Sequence, residues 1–179
     1  RNLKHRAALM LIYSAGLRIS EATRLRIKDI DSSRMLIRIV QSKNRKDRYV
    51  LLGKHTLLVL REYHRIYQPG SCLFPGQCQD RPLSNRSLQK SFKISCAKAG
   101  IRKRVSVHTL RHSFATHLME QGANIRYIQE LLGHTSLKTT MRYTHVCKQD
   151  LSRIQSPIDT MTGLTAADPF ASCSNSRTS

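Results

Sequence analysis

Gly16, Gly100 and Gly133 each stand directly after a stretch whose apolar residues recur every three or four positions, which cuts this chain into short amphipathic helices. Leu3, Ala7, Met10, Leu11 and Ser14 share the helical face that Gly16 closes. Arg18 then falls in a turn before a second short helix, which Ser20 can cap, with Glu21 at its positive N-terminal end and Asp29 to Asp31 closing it. Met35 to Val40 and Tyr49 to Leu52 are short aliphatic or β-branched runs, and they predict a β-hairpin whose tip is basic. His55 to Tyr67 suits a helix carrying Leu57, Leu58, Leu60 and Ile66, after which prolines and glycines from Pro69 to Pro82 mark a long connection. Ser84 opens a helix whose core stripe is Leu88, Phe92, Cys96 and Ala99. Ser106 opens the next, where Leu110, Phe114 and Leu118 face a core while His108 and Arg111 project together from another face. Asn124 caps the run Ile125, Ile128, Leu131 and Leu132, and a last short helix runs from about Ser136 toward Tyr143. The expected fold class is α+β, mainly helical, with a small antiparallel β-sheet or hairpin at one edge.

Charge says what such a domain meets. Thirty-one Lys and Arg against eleven Asp and Glu give a net charge of +20 in 179 residues, and a pI near 10.6 draws the chain to a polyanion, with nucleic acid first. No apolar stretch approaches the length that spans a bilayer, so a membrane partner is not expected. Five cysteines at 72, 78, 96, 147 and 173 lack a repeated spacing, which argues against a disulfide framework or zinc ribbon and for a reducing cytoplasm. The sequence begins at Arg1 rather than Met, and further sequence upstream is expected. Beyond Pro157 it turns rich in Ser, Thr, Ala and Asp, which reads as a disordered tail, with Leu151 and Ile154 as one docking turn before it.

Three separated segments carry chemistry: Gly16-Leu17-Arg18-Ile19-Ser20-Glu21, His108-Thr109-Leu110-Arg111, and the run from Leu132-Gly133-His134 to Tyr143. If they converge, a phenol stands beside two guanidiniums and two imidazoles. That set suits attack on a phosphodiester, which needs a nucleophile, neutralisation of the non-bridging oxygens and a proton for the leaving oxygen. Arg18 and Arg111 can clamp phosphate through planar forks that lysine does not reproduce. His108, in the first turn of its helix, could move the tyrosine proton or support the phosphate, and His134 could donate a further hydrogen bond. His112, His117 and His145 read instead as packing or phosphate contacts, and Glu21 as a brace for Arg18 or a helix cap. At the hairpin tip, Arg45, Lys46 and Arg48 read as solvated contacts to backbone phosphates. Lys43 could reach a groove and protonate a leaving alkoxide.

These segments, in this order, resemble the tyrosine recombinases, or phage-type integrases, over roughly Leu3 to Gln155. The 23 positions from Arg111 to His134 and the nine from His134 to Tyr143 are typical of that family, and His108 to Val146 is similar to integron integrases and Xer-type recombinases. The resemblance implies a tyrosine recombinase catalytic domain at residues 1–155, a tail at 156–179, and an N-terminal core-binding domain that this chain lacks. It implies that Tyr143 attacks the scissile phosphate to give a 3′-phosphotyrosine while Arg18 and Arg111 hold that phosphate. His108 then assists proton transfer, His134 occupies the family's His/Trp position, and Lys43 acts as general acid toward the departing 5′-hydroxyl. The loop Gln41 to Arg48 departs from relatives that carry glycines around the lysine. The implied partner is a double-stranded DNA recombination site, bound by a tetramer that exchanges a C-terminal segment, here around Leu151 to Ile158. Neither metal nor nucleotide cofactor is implied, because the tyrosine ester keeps the bond energy for rejoining.

Overall fold

The computed structural model describes residues 2–40, 47–78, 80–134, 136–141 and 143. The hairpin tip with Lys43, Arg45 and Lys46, the docking turn at Leu151 and Ile154, His145 and the tail lie outside these residues. All described residues belong to one unit, Arg1–Cys147.

Helix α1, Leu3–Ala15, is the centre of the domain. It buries Ala7, Ala8, Leu11, Ile12 and Ala15, and α2 (Ile19–Arg24), α3 (Lys54–Tyr67), α4 (Asn85–Lys98) and α5 (Val107–Glu120) pack around it. It stops at Gly16, whose φ of 62° and ψ of 31° lie in the left-handed region. A side chain there would also run into the Phe114 ring. Gly16→Ala is therefore expected to cost about 1–2 kcal/mol in backbone strain and about 1–3 kcal/mol in overpacking. Denaturant unfolding measures the sum.

The sheet has three antiparallel strands in the order β1 (Ile30–Asp31), β2 (Leu36–Ile39), β3 (Arg48–Leu51). β1 corrects the expectation that Asp29 to Asp31 ends a helix. The second helix stops at Arg24, a 3-10 turn spans Ile27–Asp29, and Ile30 pairs with Ile37. Two residues are too short for an alternating pattern to register. β2 and β3 do alternate: Ile37, Ile39 and Val50 face the core, while Arg38 and Tyr49, paired across the strands, face out.

Two helical faces also differ from expectation. In α3 the buried residues are Thr56, Val59, Leu60 and Tyr63, and Leu58 and Ile66 are exposed. In α4, Leu88 and Phe92 are buried beneath the Ser84 cap, but Ala99 lies past the helix end and is exposed. The long connection is partly core: Leu73, Phe74 and Leu83 are buried, and Leu73 N–H donates to Leu25 O at 2.8 Å. Helices α6 (Ile125–Leu132) and α7 (Leu137–Met141) complete the order. A second apolar cluster joins Phe114, Ala115 and Met119 to Ile128, Leu132 and Tyr143. Among the described residues no helix is long and apolar enough to cross a membrane.

Candidate active site

Helix α5 presents its chemistry on a face the sequence reading misplaced. The buried stripe is Val107, Arg111, Phe114, Ala115 and Met119, with Leu110 and Leu118 only half-buried. Arg111 is thus part of the core, 1% exposed, while His108 beside it is exposed. A guanidinium can occupy that position only if its N–H groups are satisfied. Nη1 donates to Gly16 O at 2.7 Å and Nη2 to Leu132 O at 2.6 Å. Those carbonyls belong to the residues that end α1 and α6, so helix termini supply acceptors that helices leave unused. Nη2 also lies 3.2 Å from His134 Nε2. Because arginine only donates, Nε2 accepts there, and Nδ1 of a neutral His134 carries the proton toward Thr140 Oγ1 at 2.9 Å. Burial, and then the like charge of Arg18, lower the Arg111 pKa to about 10. It remains cationic at neutral pH.

Glu21 gathers the other arginines. At the start of α2 its carboxylate accepts from the Arg18 backbone N–H at 2.8 Å and from Arg18 Nη1 at 2.9 Å. Arg48 Nη1 and Nη2 bind the same two oxygens at 3.0 and 2.9 Å, and Arg111 Nη1 stands 3.8 Å away. Burial alone would raise this carboxyl, but the hydrogen bonds and charge of Arg48, joined by Arg18, hold it below its ordinary value. Arg18 keeps about a third of its side chain exposed, with Nη2 3.4 Å from Gly133 O. It therefore stands at the solvent edge of the cluster whose interior Arg111 fills.

Arg48 requires a correction. Expected at the solvated tip, it is 8% exposed and points inward on the same side of β3 as Val50. Its Nε donates to Leu131 O at 3.0 Å, and its side chain lies against Gly133, where an added Cβ would come within 3.1 Å of it. Arg48 so ties β3 to Glu21 and to the turn holding His134. The bidentate bond to a buried carboxylate draws it in. Alternation back from Val50 was the available signal, since a strand begun at 48 rather than 49 puts it on the core side.

Tyr143 is 4% exposed, its ring in the second apolar cluster and its backbone N–H bonded to Thr140 O at 3.0 Å. Its hydroxyl lies 2.8 Å from Nδ1 of His112. The His108 ring meets His112 edge to face, with centroids 4.5 Å apart. His112 was read as a packing or phosphate contact, and the missed signal was its spacing: four positions from His108 shares a helix face, as three does. Of the expected site residues, the structure brings Arg18, Arg111 and His134 into one cluster and sets Tyr143 against His112, on the same turn of α5 as Arg111. Lys43, Arg45 and Lys46 lie outside the described residues.

The family model for the phage integrase family matches residues 1–150. A putative integrase/recombinase y4qK of Sinorhizobium fredii is 44% identical over 162 residues, covering 88% of this chain and 51% of that protein. Tyrosine recombinase XerC of Syntrophus aciditrophicus is also 44% identical, covering 80% of this chain and 49% of its own. Among solved structures, XerH site-specific recombinase bound to a palindromic difH substrate in a post-cleavage complex superposes with a TM-score of 0.74 at 32% identity, over 84% of this chain and 44% of that one. XerA recombinase does so with a TM-score of 0.71 at 26% identity, over 91% and 62%. The chain spans about half the length of the curated relatives it matches. With its mainly helical fold and small antiparallel sheet, and with this cluster built from the residues that carry the resemblance, the chain belongs to the phage integrase family of tyrosine recombinases.

Proposed function

We propose that this chain is the catalytic part of a site-specific recombinase, which cleaves and rejoins duplex DNA through a 3′-phosphotyrosine on Tyr143. One observation carries the reading: the Tyr143 phenol and the Arg111 guanidinium are held from adjacent positions on α5, and Arg111 shares Glu21 with the partly exposed Arg18. In this reading Arg18 and Arg111 bind the non-bridging oxygens and stabilise the charge that grows on them in the transition state. His134 braces Arg111 and can turn toward the phosphate, while His108 assists proton transfer. Lys43 protonates the leaving 5′-oxygen, and Arg45 and Lys46 bind neighbouring phosphates. The relatives' names and the XerH complex support recombination-site DNA as the substrate. The working form is a tetramer on two duplexes.

Arg111→Lys tests the geometry rather than the charge. A lysine keeps the cation but cannot reach Gly16 O, Leu132 O and a phosphate with one planar fork. Cleavage is expected to fall by about 10²–10³-fold, and duplex affinity by no more than about tenfold, with Tm as the folding control. Equal losses in cleavage and binding would remove Arg111 from the transition state. The +20 charge adds a second expectation: log affinity for duplex DNA falls linearly with log salt as counterions are released. A flat response between 50 and 200 mM salt would contradict electrostatic binding.

A further inference from the structure

Resting on the recombinase reading, we infer that His112 is a catalytic residue, the base between Tyr143 and His108 that takes the Tyr143 proton directly during attack and returns it during rejoining, with His108 assisting through the ring it packs against His112. A phenol with an ordinary pKa near 10 is almost wholly protonated at neutral pH, so attack on phosphorus needs an acceptor for its proton. Tyr143 is 4% exposed, which leaves bulk water poorly placed for that task. His112 Nδ1 stands 2.8 Å from the phenol oxygen. In the Nε2–H tautomer this nitrogen accepts the phenol hydrogen bond, along which a proton can pass. Helix α5 fixes the imidazole, with the His108 ring packed edge to face at 4.5 Å on one side and the Tyr143 ring at 5.6 Å on the other. Among the described residues, the other charged and titratable groups of the site are Arg111 on α5, His134, and the Arg18, Glu21 and Arg48 cluster.

The step balances as follows. The Tyr143 hydroxyl proton passes to His112 Nδ1 as the phenol oxygen bonds to phosphorus. The bond from phosphorus to O5′ breaks with its electron pair on oxygen, which takes a proton from an ammonium side chain or from water. The new imidazolium stands beside the phosphoryl group and offsets its charge. In rejoining, the 5′-hydroxyl returns its proton to the amine or hydroxide left by the forward step and attacks phosphorus, the bond from phosphorus to the phenol oxygen breaks, and that oxygen recovers the proton from His112.

The experiment uses the full chain and a duplex drawn from a randomised library by covalent capture with the unsubstituted protein. A second duplex carries sulfur in place of the bridging 5′-oxygen, so that its leaving group needs no proton. H112N, which keeps an acceptor near the Nδ1 position but cannot serve as a base, is measured beside H112Q, so that one misfolded variant does not decide the outcome. Both are expected to form the Tyr143 adduct about 10²–10⁴-fold more slowly at pH 7, with duplex affinity and Tm close to those of the unsubstituted chain. The deficit narrows as pH rises, because hydroxide then takes the phenol proton in place of the imidazole. It persists on the sulfur duplex, which relieves the defect of Lys43→Ala instead. Adduct formation at the unsubstituted rate overturns the assignment, as does a deficit constant with pH or one that sulfur abolishes. An unsubstituted chain that forms no adduct on any library member overturns the recombinase reading with it, whereas a Tyr143 adduct formed normally by H112N and H112Q overturns His112 alone.

Discussion

Tyr143→Phe is expected to leave no covalent protein–DNA adduct on denaturing gels, while duplex affinity changes by less than about twofold. The asymmetry follows from how little the substitution removes. The ring packs with Phe114, Ala115, Met119, Ile128 and Leu132, and phenylalanine fills the same volume. What disappears is one hydroxyl and its 2.8 Å bond to His112, worth about 1 kcal/mol, against a total stability of about 5–15 kcal/mol for a domain. The fold and the basic surface therefore survive. In the proposed mechanism the chemistry does not, because the phenol oxygen is its nucleophile. An adduct formed by Tyr143→Phe at the unsubstituted rate would move the nucleophile to another residue.

Glu21→Ala is expected to have the largest effect on stability. One carboxylate receives Arg18 and Arg48 directly and lies 3.8 Å from Arg111. Arg48 and Arg111 are almost wholly buried, so without Glu21 two guanidiniums remain in the interior with their mutual repulsion uncompensated. Removing one partner of such a buried set costs about 3–5 kcal/mol, far more than an exposed ion pair contributes. The urea midpoint should fall accordingly, and a shift of under about 0.5 kcal/mol, the size of an ordinary surface substitution, would contradict the arrangement. The same carboxylate gives a pH dependence whose sign is fixed. Its folded pKa lies below the ordinary value of 4.5, so its contribution is fully present above about pH 4.5 and is lost as pH falls through the folded pKa. Glu21→Gln should flatten that acid limb.

Which parts of the molecule were legible in the sequence follows from the range of the forces that set them. Gly16, Ser84, Asn124 and Gly133 mark helix ends through the backbone groups nearest to them, and all four ends stand where the sequence puts them. Glu21 as a brace for Arg18, three residues away, was equally local. The bond from Arg48 to Glu21 spans 27 residues, and that from Arg111 to Gly16 spans 95. Neither leaves a periodic trace. Arg111 was misplaced for a related reason: hydrophobic spacing assigns arginine to the solvent face, and only tertiary carbonyls at the ends of α1 and α6 make its burial affordable. β1 escaped because two residues are no pattern. His112 escaped because its partner, Tyr143, lies 31 positions on, beyond α6 and α7.

The most direct test of the central claim is to trap the cleavage product on a library-selected duplex, digest protein and DNA, and identify by mass spectrometry the peptide and the DNA end that are joined. The account predicts a phosphate linking the phenol oxygen of Tyr143 to the 3′ end of the cleaved strand, with a free 5′-hydroxyl opposite. Attachment to any other residue, or to a 5′ phosphate, would contradict it.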